Sequence, residues 1–168
     1  MLKIIFPSIF IIVSFLLQGT VFQAFSFSGI VPNLMIIVTS SYGFMRGKRS
    51  GMIVGFFSGL LIDLFFGKTI GYYAMIYMYI GYANGIFKKM FYPEDIKLPI
   101  AMILSSDLCF NLICYCLSFL LRGRFQVGYY FSKIILPEMV YTIVITCILY
   151  PMILLTEERL EKREKEGA

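Results

Sequence analysis

Three carboxylic acids interrupt apolar stretches of the sequence, and their side chains are the ones best suited to chemistry: Asp63, Asp107 and Glu138. A carboxylate at the centre of a bilayer costs roughly 2.5 to 3.5 kcal/mol, so residues of this kind are typically functional or paired. On a helix, Asp107 shares one face with the polar residues at i+4, i+7 and i+11, which are Asn111, Cys114 and Ser118. This stripe indicates either a ligand or proton site, or hydrogen bonds between helices that fix a bundle.

Acid–base catalysis by these carboxylates would need partners that the sequence does not offer. A catalytic site requires a nucleophile or a metal beside the acids, together with groups that stabilise developing charge. The chain has no His, its Cys residues are not spaced as metal ligands, and it contains neither a phosphate-binding loop nor a G-x-S-x-G motif. We therefore predict no enzyme activity, no catalytic or metal-binding residue and no cofactor.

Small residues recur every four positions in the segment that leads to the first acid. This stripe consists of Gly51, Gly55, Gly59 and Asp63. Four residues advance about 400° around a helix, so the glycines share one face and let another backbone approach closely. Gly81 and Gly85 repeat the spacing in the next segment. We predict that the glycines pack against a helix of the same bundle, with the span of a partner protein as the alternative.

The elements that must position these residues are membrane-spanning helices. Of the 168 residues, 59% are apolar and 15% are charged, whereas an ordinary soluble domain is about 45 to 50% apolar and about 25% charged. We predict an all-α polytopic membrane protein with one integral membrane domain and no length left for a folded water-soluble one. Since a span takes about 20 residues, the chain fits six, at residues 4–23, 33–45, 51–66, 70–87, 98–121 and 134–155.

Basic residues decide how the bundle faces the two sides of the membrane. Most of the 15 lysines and arginines fall on one side if both termini are cytoplasmic, as the positive-inside rule favours. Arg46, Lys48 and Arg49 then form a cytoplasmic loop that could meet filament components or anionic lipid headgroups. Arg122 and Arg124 are exceptions to this bias, and a five-span arrangement would move them. The basic residues lie in short clusters between apolar runs, which argues against nucleic-acid binding.

A charged tail of alternating sign follows the last predicted span, at residues 156–168. Glu158 and Lys162, and likewise Glu161 and Lys165, are i,i+4 pairs in the favourable order. We predict that the last helix continues into the tail for a few turns. The tail is then either a solvated end or a docking segment for a partner.

The order and spacing of several short motifs resemble those of the bacterial rod shape-determining protein MreD family. The resemblance covers essentially the whole chain. Its motifs are Pro32-Asn33-Leu34, Arg46-Gly47, Gly51-x3-Gly55-Phe56-x2-Gly59-Leu60-Leu61-x-Asp63, Gly67, Gly71, Gly81-Tyr82, Leu136-Pro137 and Pro151. Many relatives carry Asn after the Tyr of the sixth span, whereas this chain has Thr142 after Tyr141, so we place little weight on polar contacts there.

Membership of this family would imply a multi-pass protein of the bacterial plasma membrane that serves cell elongation. The resemblance implies a non-enzymatic scaffold that binds MreC through helix contacts and links MreB filaments to the wall synthases, RodA and a class B penicillin-binding protein. It also implies a six-helix fold related to the substrate-binding subunits of energy-coupling-factor vitamin transporters.

The alternative function is a small-molecule binding subunit of a membrane transporter. Such a subunit would gather polar residues from several spans around one buried site for a vitamin-like ligand. The position of four residues separates the two functions: Asp63, Asp107, Asn111 and Glu138. Their convergence on an enclosed cavity would favour the transporter subunit, and separate hydrogen bonding by neighbouring helices would favour the scaffold.

Overall fold

The computed structural model describes residues 2–24, 29–67, 69–90, 92, 95–119 and 127–166. Arg122 and Arg124, on which the five-span alternative depends, lie outside these ranges. The helices are α1 (Leu2–Gly19), α2 (Val21–Ala24), α3 (Leu34–Arg46), α4 (Lys48–Phe65), α5 (Tyr72–Ile86), a 3-10 turn (Phe87–Met90), α6 (Lys97–Phe119), α7 (Val127–Tyr130), a π-helical segment (Phe131–Ile135) and α8 (Leu136–Glu166). The predicted all-helical class is confirmed over the described residues.

Three helical segments are long and apolar enough to cross a membrane: Ile4–Ala24, Lys97–Leu117 and Gly128–Arg163. The sequence predicted six spans, but by length and composition three of the described segments qualify. At 1.5 Å per residue, the 13 residues of α3 and the 15 of α5 cover about 20 and 22 Å of a hydrocarbon core about 30 Å thick. Helix α4 carries charged residues near both ends.

Helix α3 lies at the centre of the bundle. Every residue from Leu34 to Met45 is buried, and α3 contacts α1, α4, α5, α6 and α8. Asn33 begins the helix by accepting a hydrogen bond from the backbone N–H of Ile36 at 3.3 Å. Gly47 ends it with φ of +100°, a left-handed conformation that favours glycine. Because other helices cover α3 on all sides, it does not need the uniformly apolar surface of a lipid-exposed span.

Helices α1 and α8 lie against α3 in opposite directions. Near the start of α3, the backbone N–H of Met35 donates to Oε1 of Gln18 in α1 at 3.3 Å. Near its other end, the ring of Tyr42 lies 6.4 Å from that of Phe10, earlier in α1, so the two helices are antiparallel. By contrast, α8 contacts Asn33 through its earlier part and Arg46 through its later part, and it therefore runs parallel to α3.

The same reasoning orients the remaining long helices. Residue contacts between α4 and α5 run in opposite order along the two helices, so these helices are antiparallel. The side chain of Asn84 donates to Ser106 at 2.7 Å, and the ring of Tyr77 lies 5.0 Å from that of Phe110, which makes α5 and α6 antiparallel as well. The six long helices thus alternate in direction along the chain.

Helix α8 continues unbroken to Glu166, through Pro151 and the charged tail. Phe6 of α1 and Leu160 of α8 line one cavity, so the start of α1 and the end of α8 lie at the same end of the bundle. Arg46 and Lys88 meet at this end too, where the Nζ of Lys88 donates to the carbonyl of Arg46 at 3.1 Å. The fold therefore gathers basic side chains at one end.

Candidate functional site

The glycines of α4 face the backbone of α5. A Cβ at Gly51 would overlap the carbonyl group of Gly81, and a Cβ at Gly55 would overlap the carbonyl group of Tyr77. Gly59 lies in the same way against the first turn of α5. The two backbones are therefore in direct contact, which a larger side chain at any of the three positions would prevent.

The glycines of α5 complete this contact from the other side. A Cβ at Gly81 would overlap the carbonyl of Gly51, and a Cβ at Gly85 would overlap the backbone of Lys48. Gly43 of α3 also faces the carbonyl of Gly81. Sequence reasoning missed it, although Gly43 and Gly47 continue the four-residue spacing back from Gly51. These glycine faces are occupied within the chain and leave no open surface for a partner helix.

Asp63 caps the start of α5. Its carboxylate accepts hydrogen bonds from the backbone N–H groups of Gly71, Tyr73 and Ala74 at 2.9, 3.0 and 2.9 Å. The first N–H groups of a helix have no partner inside the helix, and the helix dipole favours negative charge there. Gly71 has φ of +98°, which folds the chain back under the carboxylate. This buried acid therefore has a structural role.

The other two acids converge between α6 and α8. The carboxylate of Asp107 lies beside the side chain of Thr142, and the side chain of Asn111 lies beside Glu138. Asn111 also donates from Nδ2 to the carbonyl of Asp107 at 3.1 Å. The structure thus brings together three of the polar residues predicted to lie within the membrane, Asp107, Asn111 and Glu138, while Asp63 lies apart from them. The side chain of Ser118, the last member of the predicted stripe, lies outside the described residues.

Helices α3 and α5 complete this polar cluster. The Tyr77 hydroxyl donates to Oδ1 of Asn33 at 2.8 Å, and the backbone N–H of Asn33 donates to the Thr142 hydroxyl at 3.2 Å. The Asn33 side chain also lies beside Asp107. From the sequence we place little weight on polar contacts at Thr142, but the Thr142 hydroxyl accepts a hydrogen bond at the start of α3. We name Asn33, Tyr77, Asp107, Asn111, Glu138 and Thr142 the acid cluster.

The carboxylate of Asp107 is the least satisfied group of the acid cluster. The residue is 0% exposed, and no donor among the described residues reaches either carboxylate oxygen with hydrogen-bond geometry. A buried charge without a partner is costly, so a proton or a bound donor would stabilise this carboxyl group. The described residues contain no group of three or more Cys, Asp or Glu side chains that could hold a metal ion.

The predicted basic loop is a single residue, because α3 ends at Arg46 and α4 begins at Lys48 on either side of Gly47. Arg46 does not point freely into solvent: its guanidinium pairs with the carboxylate of Glu157 in α8 at 2.6 Å. The Nζ of Lys48 lies 5.5 Å from the ring centre of Tyr82. The loop prediction therefore needs correction, since Gly47 makes the turn alone and two of the three cations have contacts within the chain.

Among the buried polar residues that sequence reasoning missed, Asn84 and Glu157 make contacts to other helices. Asn84 donates to the hydroxyls of Ser40 and Ser106 at 3.3 and 2.7 Å. The sequence feature that could have identified it is its position on the helix face that carries Gly81 and Gly85. Glu157 was assigned to the solvated tail. Its signal was a buried stripe with spacings of three or four residues along α8, formed by Thr142, Thr146, Tyr150, Ile153, Glu157 and Leu160.

Comparison with known proteins gives one family. A family model described as rod shape-determining protein MreD matches residues 1–157. Comparison with curated proteins and comparison with solved structures each give no match. The predicted likeness to energy-coupling-factor subunits therefore has no support from a solved structure.

Proposed function

The chain belongs to the MreD family of rod shape-determining proteins, and from this premise we propose that it is a non-enzymatic membrane scaffold of the cell-elongation machinery. The family and the three apolar helices put the chain in a membrane with a role in cell shape. We propose further that it binds MreC within the bilayer and so links MreB filaments to RodA and its class B penicillin-binding partner. The match over residues 1–157 is the observation that carries this proposal.

All six long helices are proposed to cross the bacterial plasma membrane, with both termini in the cytoplasm. Their alternating directions support this arrangement, since each successive helix returns the chain to the opposite end of the bundle. The end that carries Arg46, Lys88 and the tail is the more basic one, as the positive-inside rule requires of the cytoplasmic side. Helix α3 can be short because it is buried among other helices.

The groove between α1 and α4 is the proposed contact surface for the MreC span. It has a volume of about 580 Å³ and is lined mainly by apolar side chains. Two small residues face it, Ser8 from α1 and Ser50 from α4. Association of spans relies on close packing, for which small residues in a concave surface are favourable. The glycine faces of α4 and α5 are occupied within the chain, as favoured from the sequence, so this groove is proposed as the partner surface instead of them.

Photocrosslinking in cells tests this surface. A photoreactive amino acid at Ile12 or Phe57 in the groove should capture MreC, whereas the same probe at Val144 or Ile148 on the exposed face of α8 should not. These control positions are comparably exposed and apolar. Capture of MreC from α8 alone would place the partner surface on α8 and not in the groove. If a protein that inserts normally captures MreC from none of these positions, the scaffold proposal is contradicted.

A second candidate function, small-molecule binding, is favoured by the acid cluster. Asp107, Asn111 and Glu138 converge with residues from two further helices, and the carboxylate of Asp107 has no donor in the described part of the chain. Mass spectrometry of protein purified in mild detergent should then detect a bound compound in the wild type that is lost in Asp107→Asn. An identical spectrum for the two proteins would count against this function.

A further inference from the structure

A cavity of about 550 Å³ lies between the start of α1 and the charged end of α8. Six residues line it: Phe6, Thr156, Arg159, Leu160, Lys162 and Arg163. This surface is separate from the acid cluster, from the α1–α4 groove and from the glycine contacts. Three of the residues that line this cavity are cationic: Arg159, Lys162 and Arg163.

The three cations share one face of α8. Arg159, Lys162 and Arg163 are spaced i, i+3 and i+4, so their side chains are neighbours on the helix surface, and all three are exposed. Glu161 lies about 200° from Arg159 around the helix, on the opposite face. Glu157 is held by Arg46. Glu158 lies four residues before Lys162 and offsets part of this charge, but none of the described residues that line the cavity is acidic.

The cavity combines this charge with an apolar wall. Leu160 is 5% exposed and packs beneath the cations, and the half-buried Phe6 faces it from α1. The apolar part of α8 ends just before the Arg46–Glu157 ion pair, and the cavity extends along α8 from Thr156, beside this pair, to Arg163. A site with this position offers cations to the headgroup layer and hydrocarbon to the adjoining acyl region.

We propose that this cavity binds the phosphate headgroup of an anionic phospholipid. Arg159 and Arg163 are suited to bidentate hydrogen bonds with phosphate oxygens, and Lys162 contributes a third positive charge. Phe6 and Leu160 contact the glycerol and upper acyl region of the same lipid. The lipid thereby joins the first and last helices of the chain, whichever protein partner the bundle binds.

Lipid retention by the purified full chain tests the proposal. The delipidated protein in detergent is incubated with phosphatidylglycerol or with phosphatidylcholine of the same acyl chains, and lipid per protein is measured after gel filtration. Each basic side chain near an anionic surface contributes roughly a fivefold change in affinity. The variant R159Q/K162Q/R163Q should therefore lose at least about tenfold in phosphatidylglycerol affinity and keep its weak retention of phosphatidylcholine.

Two further variants make the result specific. The matched control K89Q/K97Q/K133Q removes the same charge from exposed positions elsewhere and should retain phosphatidylglycerol as the wild type does. Phe6→Ser removes the α1 side of the apolar wall and should weaken phosphatidylglycerol binding while leaving the cations in place. Equal retention by the cavity variant and the control would overturn the proposal.

Inorganic phosphate separates a lipid site from a site for free phosphate. Phosphate at the concentration of the added lipid should displace little phosphatidylglycerol, because it gains nothing from Phe6 and Leu160. Displacement as effective as that by unlabelled phosphatidylglycerol, unchanged in Phe6→Ser, would assign the cavity to a soluble phosphate and overturn the lipid proposal.

Discussion

The guanidinium of Arg46 donates two hydrogen bonds to the carboxylate of Glu157, from Nε at 2.6 Å and from Nη2 at 2.7 Å. The side chains are only 17% and 11% exposed, and the ring of Tyr42 lies 5.2 Å from the guanidinium carbon. A two-point contact of this kind fixes orientation as well as distance. It therefore sets the position of α8 along α3 at the end where the helix leaves the apolar bundle.

Breaking this ion pair on one side should destabilise the protein. Glu157→Gln leaves the Arg46 guanidinium without its counter-charge. Loss of one partner of a buried pair costs about 3 to 5 kcal/mol, and the partial exposure of this pair reduces the expected loss to roughly 2 to 3 kcal/mol. Thermal unfolding in detergent, followed by circular dichroism, measures the change. The double variant Arg46→Met with Glu157→Met serves as the control and should recover most of the stability, because it leaves no unpaired charge; a double variant as unstable as the single one would contradict this account.

Substitution of the α4 glycines should disrupt folding before it affects any partner. A methyl group at Gly55 overlaps the carbonyl of Tyr77, which is backbone and cannot move aside. Gly55→Ala should cost about 1 to 3 kcal/mol or more, as overpacking of a dense interior does. Gly128→Ala is the matched control, since nothing lies within 4 Å of its added Cβ. Loss of MreC binding by a Gly55→Ala protein of normal stability would instead show that this face serves the partner.

The cap formed by Asp63 should contribute more stability than an exposed cap. Asp63→Ala removes three backbone hydrogen bonds at the start of α5, and we expect a loss of about 2 kcal/mol, at the upper end for helix caps. Asp95 provides the comparison, because it accepts one exposed backbone hydrogen bond from Lys97 at 3.1 Å. Asp95→Ala should cost less than about 1 kcal/mol. Equal losses of thermal stability in the two variants would contradict a capping role for Asp63.

Neutralising Asp107 should stabilise the purified protein if no ligand is bound. Asp107→Asn keeps the shape of the side chain, removes its charge and adds an N–H group that can donate a hydrogen bond to Thr142 or Asn33. An unsatisfied buried polar group costs about 1 to 3 kcal/mol, so a gain of roughly 1 kcal/mol is expected, with Asp95→Asn as an exposed control. A clear loss of stability in Asp107→Asn would mean that the carboxylate is already paired, which supports a bound donor.

Local sequence patterns predicted the helices, and they also predicted which small or acidic residues on each helix make close or polar contacts. The four-residue spacing in α4 and α5 follows from helix geometry alone, so Gly51 and Gly81 could be identified before their contact was visible. The proximity of Asp107 to Thr142 could not, because it depends on the register between α6 and α8. Glu157 was missed for a related reason: its charge resembles the tail, and only packing against α3 makes it part of the bundle.

The alternating helix directions predict which residues are accessible from each side of the membrane. Arg49 lies in the first turn of α4, at the end of the bundle where α8 carries Lys165, whereas Tyr129 lies at the opposite end, before α8. In a variant without the native cysteines, Arg49→Cys and Lys165→Cys should react with a membrane-impermeant maleimide only after the cytoplasmic side is opened.

Tyr129→Cys should react in intact cells, since an odd number of crossings separates it from the tail. All three native residues are exposed in the structure. Lack of labelling therefore means that the membrane blocks the reagent, and not that the side chain is buried in the protein. Labelling of position 129 only from the cytoplasmic side would contradict six crossings and favour five. Labelling of positions 49 and 165 from opposite sides would contradict the helix arrangement itself, because the Arg46–Glu157 pair holds those two helix ends together.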